Sequence, residues 1–307
     1  MRFITLREPL FFFALWGTLA LFFGSAGCRP GVPAPSDEHY VLVTVPPIAG
    51  LVGAVAGDTC SAVVLVPPGK EPETFSPTPS EMRGIARCSL FFRVGLPSEG
   101  PVLARLMSLN PQLRTVDLSE GLPITVDARE SDEIEPEAEH EKEGHRHGGM
   151  DPHIWMSPSN LEAMATTIEK TLSETFPENR SLYQERTNRF IGAAEALKRE
   201  TAEKLEGNPN PVLYVFHPAY GYYCAEFGWR QRAVEAGGKA PKSKEFVELV
   251  RQLSREDAKT VFIQPEFSRT AVEKLAAELN LNIEVHSPLG EDPLENIRTL
   301  TDALARE

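Results

Sequence analysis

Three short segments hold residues whose types could bind a metal ion. GKEPETFSPTPS, at 69–80, carries Glu71 and Glu73; DPHIWMSP, at 151–158, carries His153; VFHPAYGYY, at 215–223, carries His217. Imidazole nitrogen and carboxylate oxygen are competent donors to zinc, whereas manganese prefers a more oxygen-rich set. A set of two imidazoles and one carboxylate drawn from these segments would favour Zn2+ slightly over Mn2+. The same trio with an activated water is also a hydrolytic set, and Glu71 is the only nearby candidate for its general base. Taken singly, a histidine before or after proline is more often structural or solvated than a ligand. The sequence has no HExxH helix and no CxxC pair, so standard metalloprotease and cysteine-zinc motifs are excluded.

The elements that must position these residues alternate between strand and helix. YVLVTV at 40–45 reads as a buried strand, ended by Pro46-Pro47, and IAGLVGAVAG carries helical spacing. AVVLVPPG gives a second strand, Ser80 to Arg87 a helix with Ser80 as its cap, and SLFFRVG a third strand. Ser157-Pro158-Ser159-Asn160 opens a helix that Pro177 closes, and residues 180–206 form one long helix. Such a helix spans about 40 Å, the width of a lobe, and is expected to join two lobes. The second half repeats the alternation: PVLYVF, KTVFIQP and NIEVHS as strands, SKEFVELVRQLSRE, TAVEKLAAELN and PLENIRTLTDALARE as helices. The expected fold class is α/β, with two lobes of parallel sheet joined by one long rigid helix. Ligand sites in such sheets lie where strands end and loops begin, which is where these three segments stand.

Together, in this order and separated by the long helix, the segments resemble the zinc/manganese solute-binding proteins of ABC importers, over residues 40 to 305. PPGKEPETFSPTPSEMRGI is similar to that family's P-G-x-D-P-H-x-x-x-P-T-P-S stretch. DPHIW resembles its second ligand segment and FHPAYGYYCAEFGW its third, while KAPKSKEFVELV and SPLGEDPLENI fall where the family has similar text. The resemblance implies a metal held by Glu73, His153 and His217 in the cleft between the lobes. Glu73 stands where the family has histidine; His153 and His217 match without change. The family's fourth ligand is commonly an aspartate before Pro-Leu-Gly, and here that position is Ser287. Water, His286 or Glu266 could fill the fourth place, although adjacent strand residues His286 and Ser287 should point opposite ways. The implied partners are an ABC permease with its ATPase and a divalent cation, with the protein a monomer that performs no catalysis. A surface lipoprotein or adhesin with weak or altered metal binding is the alternative, an exported zinc hydrolase the more distant one.

The ends and composition bear on the compartment. Arg2, Arg7, the apolar run Leu10 to Phe23, and Ser25-Ala26-Gly27-Cys28 read as a signal peptide over 1–28. That run is shorter than the roughly 20 residues a spanning helix needs. Ser-Ala-Gly-Cys resembles a bacterial lipobox, with Ser25 where leucine is usual, so the protein is expected to be exported, periplasmic or cell-surface, and lipid-anchored at Cys28. Residues 29–39 form a Pro-rich tether, 40–178 the first lobe, 179–207 the linking helix and 208–307 the second lobe. Within the first lobe, 127–150 is an acidic stretch with His140, His145 and His147, in which nine of the residues from Asp127 to Gly144 are acidic. It is expected to be a loop that either traps zinc weakly or is simply solvated. A net charge of −13, from 31 basic and 44 acidic residues, argues against a nucleic-acid partner. Of Cys60, Cys88 and Cys224, the first two are the expected pair if a disulfide forms.

Overall fold

The computed structural model describes residues 39–123, 151–208, 211–233, 258–267, 273, 277 and 281–306. The signal segment, lipobox and most of the tether, all of the acidic histidine-containing stretch, the segment SKEFVELVRQLSRE and nearly all of TAVEKLAAELN lie outside them.

Two four-stranded sheets, each with every described pairing parallel, carry the fold. The first contains β1 (His39–Val43), β2 (Cys60–Val64), β3 (Leu90–Arg93) and β4 (Arg114–Asp117) in the order β2-β1-β3-β4. The second contains β5 (Val212–Val215), β6 (Arg230–Ala233), β7 (Thr260–Ile263) and β8 (Asn282–Val285) in the equivalent order β6-β5-β7-β8. Parallel neighbours require crossovers, and among the described residues helices supply them between β1 and β2, β2 and β3, β3 and β4, and β5 and β6. In each sheet the order reverses beside the first strand, and the carboxyl ends flanking that reversal are where α/β sheets bind ligands.

Among the described residues the helices are α1 (Pro46–Ala56), α2 (Pro79–Ile85), α3 (Glu99–Leu109), α4 (Pro158–Thr175), α5 (Arg180–Leu205), α6 (Gly221–Phe227) and α7 (Pro293–Leu304). Pro46 and Pro47 do not precede α1 but begin it, in the first turn where a missing N–H costs nothing. The cap of α2 is Thr78 rather than Ser80. Its hydroxyl accepts from Glu81 N while the Glu81 carboxylate accepts from Thr78 N, a reciprocal capping box.

The long helix is as expected. α5 buries Tyr183, Thr187, Phe190, Ala194, Leu197, Thr201 and Leu205, one stripe at three- and four-residue spacing. That stripe rests on α1 and α4 from the first half and on α6 and α7 from the second. The carboxyl-terminal helix α7 also reaches back onto α1 and α4. Gly50 on α1 permits this, since a Cβ there would collide with the backbone carbonyl of Glu291. Side-chain bonds add to the join: Trp155 Nε1 donates to Pro288 O at 2.8 Å, and Lys204 Nζ to Asp302 Oδ1 at 2.6 Å.

Cys60 and Cys88, the pair expected if a disulfide forms, are free buried thiols, as is Cys224. Cys60 pairs with His39 on one side of β1, and the Val41–Leu90 register puts Cys88 beside His39 on the other. Two strand spacings separate them by about 10 Å, beyond the roughly 7 Å a disulfide can bridge. Burial pushes both thiols up to about 11.

Candidate metal centre

Glu73 reaches the site on the loop after β2. Ser98, just before α3, donates from its hydroxyl to the carbonyl of Pro72 at 2.7 Å, fixing the backbone beside the carboxylate. The neighbouring Glu71 accepts from Thr74 Oγ1 at 2.9 Å. His153 precedes a single helical turn, Ile154–Met156, whose three side chains are fully buried and anchor the segment ahead of α4. Ser157 caps α4 by accepting from Asn160 N. His217 follows β5, and Gln264, after β7, clamps it by accepting from His217 N at 3.2 Å and donating to His217 O at 2.8 Å. The Phe267 ring stacks on the His217 ring, with centroids 4.8 Å apart.

These elements bring the three expected residues together. Nε2 of His153 and Nε2 of His217 lie 3.4 Å apart, and His217 Nε2 lies 3.5 Å from Glu73 Oε1. One ligand atom from each of the three falls within 4.8 Å of the others. Donors about 2.0–2.1 Å from a tetrahedral ion lie about 3.3–3.4 Å from one another, so both short separations match edges of such a polyhedron. The cavity they line is about 20 Å³, room for one water or one bare ion and not for an organic ligand. Both histidines are buried and Glu73 is half-buried.

Asp151, which sequence reasoning missed, completes the support of His153. Its Oδ1 accepts from His153 N at 2.9 Å and lies 2.7 Å from His153 Nδ1. A carboxylate on Nδ1 fixes the ring and turns Nε2 toward His217, the arrangement of carboxylate–histidine–metal triads. The signal was in the text, as Asp two residues before His. Asp151→Asn is expected to weaken zinc binding about 10- to 100-fold without unfolding the chain, measured by competition with a chromophoric chelator.

His286 is not available as a fourth ligand. Its Nδ1 lies 3.0 Å from the Tyr220 hydroxyl and its Nε2 donates to Asn296 O at 2.9 Å, so both ring nitrogens are occupied within the second lobe. Burial pushes its imidazole below the usual histidine value. The folded protein therefore resists a proton that the unfolded chain accepts near pH 6.5. Its contribution to stability is complete above that pH and declines as pH falls through it. In metal-free protein, His286→Gln should flatten the loss of thermal stability between pH 7.5 and 5.5.

The fold and cleft are those of the two-lobed α/β binding proteins whose lobes a long helix joins. A family profile described as zinc-uptake complex component A, periplasmic (ZnuA) matches residues 41–306, and the chain belongs to that family. It is 25% identical over 263 residues to the high-affinity zinc uptake system protein ZnuA of Yersinia pestis, covering 81% of this chain and 83% of that one. It is 23% identical over 252 residues to the zinc-binding lipoprotein AdcA of Streptococcus pneumoniae serotype 4, covering 81% of this chain and 50% of AdcA. A crystal structure of ZnuA superposes with a TM-score of 0.78 at 27% identity, over 88% of this chain and 99% of that one.

Proposed function

We propose that this protein is an extracytoplasmic receptor that captures one divalent ion, zinc in preference to manganese, and delivers it to the permease and ATPase of an ABC importer. The observation that carries the reading is the approach of Glu73, His153 and His217 to distances a tetrahedral ion requires. Family membership and the zinc-uptake and zinc-binding names of the relatives support it. On this reading residues 1–28 direct export, Cys28 carries a lipid anchor, 29–39 tether a monomer, and 40–178 and 208–307 form the lobes joined by 179–207. The ion is cargo, and no residue is assigned a catalytic step.

Elemental analysis of purified protein should find one zinc per chain, and apoprotein should take up one equivalent of zinc more tightly than of manganese. A wild-type protein that retains no metal and takes up none on titration overturns the proposal. Manganese bound more tightly than zinc overturns the preference alone.

A further inference from the structure

Three protein ligands leave one tetrahedral place to fill, and the expected aspartate is a serine. The side chains around that serine hold a carboxylate in a different part of the chain. Ser287 Oγ donates to Glu266 Oε1 at 3.0 Å and accepts from Leu289 N at 3.1 Å, so its proton and one of its two lone pairs are engaged away from the three ligands. Glu266 follows β7, two residues after the Gln264 that clamps His217, and lines the same cavity as Glu73, His153 and His217. Its second oxygen, Oε2, is buried from solvent and has no hydrogen-bond partner among the described residues. A buried carboxylate oxygen without a partner is costly, and such groups are nearly always satisfied in folded proteins. Among the described residues only Glu73, His153 and His217 form a trio with ligand atoms all within 4.8 Å of one another. A turn of the Glu266 side chain toward a cation in the shared cavity would bring Oε2 to them and satisfy it.

We propose that Glu266 supplies the fourth ligand through Oε2, with Ser287 as the residue that orients it. The carboxylate has then moved from the end of β8 to the end of neighbouring β7, and the serine left behind steadies it. The set becomes two imidazoles and two carboxylates, which balances the charge of a divalent ion with both histidines neutral. This inference rests on the proposed binding of metal at Glu73, His153 and His217, and it adds a ligand those three do not require.

The decisive experiment is the crystal structure of the zinc-loaded wild-type protein, located by anomalous scattering at the zinc edge. A Glu266 oxygen at about 2.0–2.2 Å from the ion supports the proposal, and a water or any other group in the fourth place overturns it. In solution, Glu266→Gln should lower zinc affinity about tenfold or more, and Ser287→Ala should lower it less because the ligand itself remains. Unchanged affinity in Glu266→Gln overturns the inference while leaving the three-ligand reading intact. Should Glu266→Gln fail to fold, the wild-type zinc structure decides alone. Wild-type protein that binds no zinc defeats the underlying reading instead, so the two failures are distinguishable.

Discussion

His217→Ala will lower the affinity for zinc by about two to three orders of magnitude, and it will do so without destabilising the metal-free chain severely. The free energy of binding a structural zinc by a peptide site is roughly 10–16 kcal/mol. Shared over four places, one ligand accounts for about 2.5–4 kcal/mol, which is about 70- to 900-fold in affinity. The loss at His217 should exceed that at Glu73. His217 is held at its backbone by both arms of Gln264 and at its ring by Phe267, so it is delivered to the ion in place. Glu73 sits half-buried on a loop that the Ser98–Pro72 bond steadies at its backbone, and water can substitute for its oxygen more readily. Isothermal titration of the two alanine variants by zinc should rank them in that order. Binding must also weaken on acidification in the wild type, because protons compete with the ion for imidazole nitrogen. His217→Ala with near wild-type affinity would remove His217 from the site.

How much of this was readable beforehand differs by element, for physical reasons. The long helix α5 was legible because its residues are nearly all good helix formers and their buried members repeat with helical period. Strands β1, β3, β5 and β7 were legible because central parallel strands are buried on both faces and read as apolar runs. The edge strands β4, RTVD, and β6, RQRA, carry no such run; they are strands because β3 and β5 offer a free edge, which no local pattern announces. Helix α3 begins Glu-Gly-Pro, and two of those three residues normally punctuate chains rather than start helices. Helix α6 is a seven-residue turn embedded in the segment read only for its histidine.

The site divides the same way. Glu73, His153 and His217 could be proposed from the text because the resemblance fixed their order and spacing. Asp151 and Gln264 could not be assigned by type alone, since their roles depend on which atom of a neighbour they meet. Ser287 marked where a ligand was missing, but only the fold puts Glu266, 21 residues earlier, against it. Two parallel strands side by side carry residues distant in sequence to the same sheet edge, and that juxtaposition is invisible in one dimension.

The largest effect on stability is expected away from the metal, at Glu99. This glutamate opens α3 and is 1% exposed. Its Oε1 accepts from Thr44 Oγ1 at 2.5 Å and from Val94 N at 2.9 Å, and its Oε2 accepts from Gly95 N at 3.0 Å. It therefore ties the ends of β1 and β3 to the start of α3, beside the Ser98 that holds the loop of Glu73. Glu99→Ala strands three donors at once and should lower the unfolding free energy by about 3–5 kcal/mol, read from urea denaturation of metal-free protein. Glu99→Gln keeps one acceptor oxygen but turns an amide N–H toward a donor, so a smaller loss of roughly 1–3 kcal/mol is expected. Burial pushes the Glu99 carboxyl above its usual value, against the pull of its donors and Arg93. A carboxyl raised on folding contributes stability that is complete below its unfolded value near 4.5 and is lost as pH rises through the folded one. The penalty of Glu99→Gln should accordingly be greater in mild acid than at neutrality. A variant series with no penalty at either pH would show that the buried carboxylate does not hold these strand ends, and would leave Ser98 to position Glu73 unaided.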